Sequence, residues 1–116
     1  MKFNNLFDDY SGGKRREPYI KQLINYLYEP SPENKLLVEQ KMKDYANCSA
    51  VILHLEKLQE HFLFLENGHL SAWRLLEKEV AENGWFSERY PDFLEMFYKA
   101  AEKKGFAKKK WVITSL

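Results

Sequence analysis

The sequence predicts an all-α fold, a compact single-domain bundle of about five helices that spans residues 1–116 and surrounds a central apolar helix at residues 49–66. Three observations favour this fold. Apolar residues recur at steps of three and four in successive segments, as they do on one face of an α-helix. Proline residues and Asn-Gly pairs separate these segments. The strand-like residues at the C-terminus have no evident partner strand, so we expect an extended tail there.

The central segment carries five apolar residues at alternating steps of four and three. They are Val51, Leu55, Leu58, Phe62 and Leu65. Four further apolar side chains lie outside this stripe at both ends of the helix: Ile52, Leu53, Leu63 and Phe64. Because a surface helix needs only one apolar face, we expect neighbouring helices to cover this one from several sides.

In the N-terminal half, the sequence predicts three helices and one basic loop before the central helix. Residues 3–10 are expected to form a short docked helix, and residues 11–17 a solvated basic loop. A helix follows from Pro18, which suits the first turn, to Glu29. Ser31 is a good N-cap residue, so the next helix is expected to begin directly after it.

The C-terminal half predicts two further helices. An Asn-Gly pair at residues 67–68 ends the central helix, because both residues tolerate the left-handed conformation of a helix end. Ser71 can cap the next helix. The last helix is expected to start near Pro91 and to end before Gly105. The extended tail then occupies residues 107–116.

The composition bears on the compartment in which the chain works. Cys48 is the only cysteine, so no disulfide can form within the chain. No apolar run reaches the ~20 residues that a membrane span needs. Acidic residues stand where a signal peptide would have its apolar core. We therefore expect a cytoplasmic protein with no membrane partner.

Motifs for chemistry are sparse. His54 and His61 lie seven residues apart, whereas metal ligands on one helix lie three or four apart. We expect both to flank the apolar stripe. Glu77, Glu79 and Glu82 are expected to form a solvated helix face. No nucleophile elbow, dinucleotide-binding glycine pattern or zinc-ligand cluster occurs. The sequence therefore predicts a protein with no metal, no cofactor and no enzymatic activity.

The aromatic link at residues 84–93 is the first candidate for a partner surface. Its candidate binding residues are Trp85, Phe86, Arg89 and Tyr90. Trp, Tyr and Arg are the residue types that dominate interface energetics. Large rings are also often buried, so the link could instead plug the open end of the bundle. The sequence leaves both interpretations open.

The basic C-terminal segment is the second candidate, for binding nucleic acid. Its candidate residues are Lys103, Lys104, Lys108, Lys109, Lys110 and Trp111. Lysines beside an aromatic ring can contact phosphates while the ring stacks on a base. The formal net charge of the chain is only +1, however, and lysines near a helix C-terminus also stabilise the helix dipole.

From these features we expect a small non-catalytic protein-binding module. The specific hypothesis is an inhibitor or immunity-type protein, of bacterial or phage kind, that masks a toxin or enzyme partner. The alternative is a nucleic-acid-binding regulator that uses the basic C-terminal segment. An enzyme ranks third, because residues distant in sequence can converge into a site. The oligomeric state stays open.

Overall fold

The computed structural model describes residues 6–7, 16–48, 54–82 and 85–106, which form a single all-α domain with six helices and no strand in those ranges. The helices are α1 (Glu17–Tyr28), α2 (Pro32–Cys48), α3 (His54–Glu66), α4 (Leu70–Glu77), α5 (Trp85–Arg89) and α6 (Pro91–Lys103). A π-helical turn, Lys78–Glu82, continues α4. The predicted fold class is confirmed. The predicted extended tail lies outside the described residues.

Helix α1 supplies much of the core. It packs against α2 and α6. Its buried side chains are Tyr19, Ile20, Leu23, Ile24 and Leu27. Pro18 lies in its first turn, as predicted, where the missing N–H leaves no intrahelical bond unmade. Burial of five large side chains on one short helix stabilises the bundle chiefly through the hydrophobic effect.

Helix α3 buries the described part of its predicted stripe. Leu58, Phe62 and Leu65 are buried, and Leu55 is partly buried. The helix packs against α2 and α4. Leu63 departs from the expectation that this helix is covered on several sides, because it is 52% exposed. The neighbouring helices thus leave one side of α3 open.

The capping and helix-ending residues described below agree with the predictions, with one exception. The Oγ of Ser31 accepts a hydrogen bond from the Asn34 backbone N–H at 3.1 Å, which confirms it as an N-cap. Gly68, after α3, has φ +73° and lies in the left-handed region. Helix α4 begins at Leu70, earlier than predicted, because His69 rather than Ser71 occupies the N-cap position.

The N-terminal region and the aromatic link differ from the expectations in two places. Arg16, expected in a solvated loop, is buried. Part of the link forms the short helix α5, which raises the number of helices to six. Of the predicted helix at residues 3–10, only Leu6 and Phe7 are described, and both are buried.

Candidate protein-binding surface

Phe86 anchors the α5–α6 region in the core. Its side chain is fully buried, and its ring lies 5.2 Å from that of Tyr90 and 6.1 Å from that of Phe93, between ring centroids. This burial favours the plug interpretation at Phe86, because a fully buried ring has no surface to offer a partner. Trp85 begins α5, and its side chain lies outside the described part of the structure.

Arg89 and Tyr90 share one carboxylate on α1. Arg89 Nη1 donates a hydrogen bond to Glu17 Oε2 at 3.1 Å, and the Tyr90 hydroxyl donates to Glu17 Oε1. The hydrogen bond to Glu17 raises the pKa of Tyr90, because it stabilises the protonated phenol. Lys21 Nζ lies 4.4 Å from the centroid of the Tyr90 ring, within cation–π range. Glu17 therefore fixes the orientation of both side chains.

The exposure of these groups differs. The Arg89 side chain is 53% exposed and Tyr90 is partly buried. A guanidinium has five N–H donors, and Glu17 engages one nitrogen of Arg89.

We call Glu17, Lys21, Arg89 and Tyr90 the Glu17 cluster. It brings two of the four predicted binding residues together at the surface, with two residues of α1 that the sequence did not single out.

The described lysines of the basic segment contact the ends of other helices. Lys103 Nζ donates to the carbonyl oxygen of Tyr28 at 3.0 Å, at the end of α1. Lys104 Nζ donates to the carbonyl oxygen of Glu66 at 2.7 Å, at the end of α3. Both cations meet the negative end of a helix dipole. Lys108, Lys109, Lys110 and Trp111 lie outside the described residues.

A buried polar cluster replaces the expected solvated glutamate face. Glu77 and Glu79 are both buried. The Arg16 side chain forms a buried ion pair with Glu79, and the Tyr98 hydroxyl donates to Glu77 Oε2 at 2.8 Å. Burial raises the pKa of Glu77 and also that of Tyr98. The expectation was wrong at these two positions because partners 63 and 21 residues away cannot be located from the local pattern.

His61 lies in the core beside the stripe, as predicted. Its Nε2–H donates to the carbonyl oxygen of Ala72 at 2.9 Å, since a carbonyl can only accept. Burial lowers the pKa of His61 to about 4. Within the described ranges, no group of three or more His, Cys, Asp or Glu side chains is arranged to hold a metal ion. In the same part of the chain, no helix has both the length and the apolar character to cross a membrane.

An open groove of about 290 Å³ runs between α2 and α3. Its apolar lining consists of Met42, Leu55, Phe62 and Leu63. An ion pair between Lys35 Nζ and Glu66 Oε2, 3.4 Å apart, spans one end. This pair joins the start of α2 to the end of α3, so the two helices run antiparallel. The sequence did not predict this groove.

Comparison with known proteins gives one partial similarity. The chain is 30% identical over 94 aligned residues to the DNA-directed RNA polymerase subunit beta' of Mesomycoplasma hyopneumoniae (strain 232). The alignment covers 70% of this chain but 7% of that subunit, so the chain spans only a small part of its relative's length. No family model matches the chain, and no solved structure matches it.

Proposed function

We propose that this chain is a small non-catalytic protein-binding module, of the inhibitor or immunity type that masks a toxin or enzyme. The Glu17 cluster supports this proposal. It presents an exposed arginine and a tyrosine in fixed orientations, and these are two of the residue types on which interface affinity most depends.

Preorganisation explains why the shared carboxylate matters. Ordering a long side chain on binding costs free energy, and a side chain already held in place loses less conformational freedom. Glu17 holds Arg89 and Tyr90 before any partner arrives. The remaining N–H donors of Arg89 suit a carboxylate on the partner, since such bonds are charge-assisted. A partner with an acidic group opposite Arg89 fits this surface.

Arg89→Ala tests the proposal. The immobilised wild-type chain is expected to retain one protein from a native-host lysate at stoichiometric yield. Arg89→Ala should weaken that complex by about 2 kcal/mol, or roughly thirtyfold in dissociation constant, as loss of an interface anchor does. Titration calorimetry with the purified partner measures the change, and circular dichroism checks that the variant stays folded.

Lys99→Ala is the matched control. Lys99 is also basic and exposed, but it lies in α6, outside the Glu17 cluster. Its Nζ is 3.4 Å from Oε1 of Glu95. Its loss should leave the affinity unchanged. Equal binding by wild type and Arg89→Ala, or no stoichiometric protein on the wild-type chain, would contradict the proposal.

Nucleic-acid binding is the second candidate, and the partial similarity to an RNA polymerase subunit favours it. Because Lys103 and Lys104 contact helix ends, this function would depend mainly on Lys108–Lys110 and Trp111. It predicts that the chain retards DNA or RNA in a gel, with an affinity that falls steeply as salt rises. It also predicts that replacing these three lysines with glutamine flattens the salt dependence. Absence of a gel shift at low salt would exclude it.

A further inference from the structure

The α2–α3 pair leaves apolar side chains open to solvent along one face. Leu63 of α3 lines the groove and is 52% exposed. Leu36 of α2 is 56% exposed and precedes Glu39 by three residues, so it lies on the same side of α2 as the groove residues Glu39 and Lys43. Exposed apolar groups that adjoin an apolar groove are typical of an interaction surface.

Two charges on this face have no partner among the described residues. Glu39 and Lys43 both line the groove and lie one helical turn apart. Neither side chain makes a hydrogen bond or an ion pair with another described residue, whereas the nearby Lys35 pairs with Glu66. A partner for this face should therefore offer an acid and a base, also one turn apart and in the reverse order.

A second copy of the chain has this arrangement. When two α2 helices pack antiparallel across a twofold axis near residue 41, Glu39 of each chain faces Lys43 of the other. A twofold interface requires such self-complementarity, because the same patch serves on both sides. We propose that the chain forms a homodimer in which two α2–α3 pairs pack face to face as a four-helix bundle, with Leu63 of each chain against the other's groove.

The size of the face is sufficient for a dimer. Helix α2 has 17 residues and is therefore about 25 Å long at 1.5 Å per residue. Two helices side by side are about 20 Å wide. The resulting footprint is about 500 Å² per chain before surface relief is included, or about 1,000 Å² for both chains, which is the lower limit of size for a biological interface. The homodimer is independent of the proposed function, because the Glu17 cluster lies outside the α2–α3 groove.

Sedimentation equilibrium on the full chain tests the dimer. Leu63→Lys should give a monomer, because it places two lysines in the apolar seam. Glu39→Lys and Lys43→Glu should each raise the dimer dissociation constant at least about tenfold, because like charges then face each other twice. The double variant Glu39→Lys/Lys43→Glu should restore dimerisation, since it reverses both charges and keeps the complementarity.

Leu37→Lys is the matched control. Leu37 is 40% exposed, but its position two residues before Glu39 places it on the opposite side of α2. This variant should dimerise normally, as should Arg89→Ala. A monomeric wild type at all concentrations would overturn the proposal, as would a dimer insensitive to Leu63→Lys or a double variant that stays monomeric. Capture of a different protein by a monomeric chain, lost in Leu63→Lys, would also overturn it.

Discussion

Two buried polar features affect the stability of this protein: the ion pair between Arg16 and Glu79, and the imidazole of His61. Arg16 and Glu79 form an ion pair whose side chains are only 9% and 8% exposed. Glu79 lies in the π-helical turn after α4, where widening of the helix changes which residues face inward. A charge buried in this way is tolerated because its partner is buried with it.

Breaking the Arg16–Glu79 pair from one side should be costly. Glu79→Ala leaves the guanidinium of Arg16 buried without this carboxylate, so it should lower the free energy of unfolding by about 3–5 kcal/mol. Arg16→Met combined with Glu79→Leu should cost much less, because no charge is left behind. Urea unfolding of the wild type, Glu79→Ala and the double variant measures both effects. A small cost for Glu79→Ala alone would show that the pair contributes little to stability.

His61 should make the stability depend on pH. The unfolded imidazole binds a proton below its ordinary pKa of about 6.5, whereas burial lowers the folded pKa to about 4. The unfolded state therefore binds more protons between these values, and stability falls as the pH drops from about 6.5 to about 4. The full loss is about 3 kcal/mol at ~1.4 kcal/mol per pKa unit.

Comparing variants isolates this effect from other titrating groups. Glu77, with its raised pKa, acts in the opposite sense, because its folded form keeps a proton to higher pH. The difference in stability between wild type and His61→Gln should change across this window. His69→Gln is the control, because its ring is exposed and stacks on Phe64 at 4.6 Å. A pH-independent difference for His61→Gln would contradict the assignment.

At the α3–α4 junction, the chain depends on the backbone conformation of one glycine. Gly68 has φ +73°, and a Cβ added there would meet Lys104 Cδ at 4.0 Å, an ordinary contact. Gly68→Ala should therefore lower stability by about 1–2 kcal/mol through conformational strain alone. Gly68→Asn should cost less, because asparagine tolerates this region. Thermal unfolding measures the two variants, and equal stability of Gly68→Ala and wild type would refute the strain.

Most of the helices could be predicted from the local sequence pattern. Some residues affect only helix ends within a few positions in the sequence, so their effect could be predicted. They are Pro18, Ser31 and the Asn-Gly pair at residues 67–68. Helix α5 was missed because five residues between two turns have no clear period. The short π-helical turn after α4 likewise has no sequence signature of its own.

For the whole molecule, the all-α class could be predicted, whereas most of the candidate surface could not. The apolar residues recur at helical spacing, and helices with one apolar face must pack against each other. This pattern was sufficient to predict the all-α fold class. Arg89 and Tyr90 were predicted as binding residues from their residue types, and their role stays a prediction. Their partner Glu17 is 72 residues away from Arg89, and its role depends on how α1 packs against the start of α6. Leu63 was expected to be covered by neighbouring helices, but it is exposed. The sequence pattern shows which residues are apolar, but it does not show on which side a helix lacks a neighbour.

The function of the molecule is tested most sharply by the affinity of the natural partner at two salt concentrations. The variants to compare are Arg89→Ala and the triple variant with Lys108, Lys109 and Lys110 replaced by glutamine. For a protein partner held through the Glu17 cluster, Arg89→Ala loses affinity at both salt concentrations, and the triple variant chiefly slows association at low salt. If the triple variant loses most of the equilibrium affinity while Arg89→Ala binds normally, the chain is a nucleic-acid binder and the proposed function is wrong.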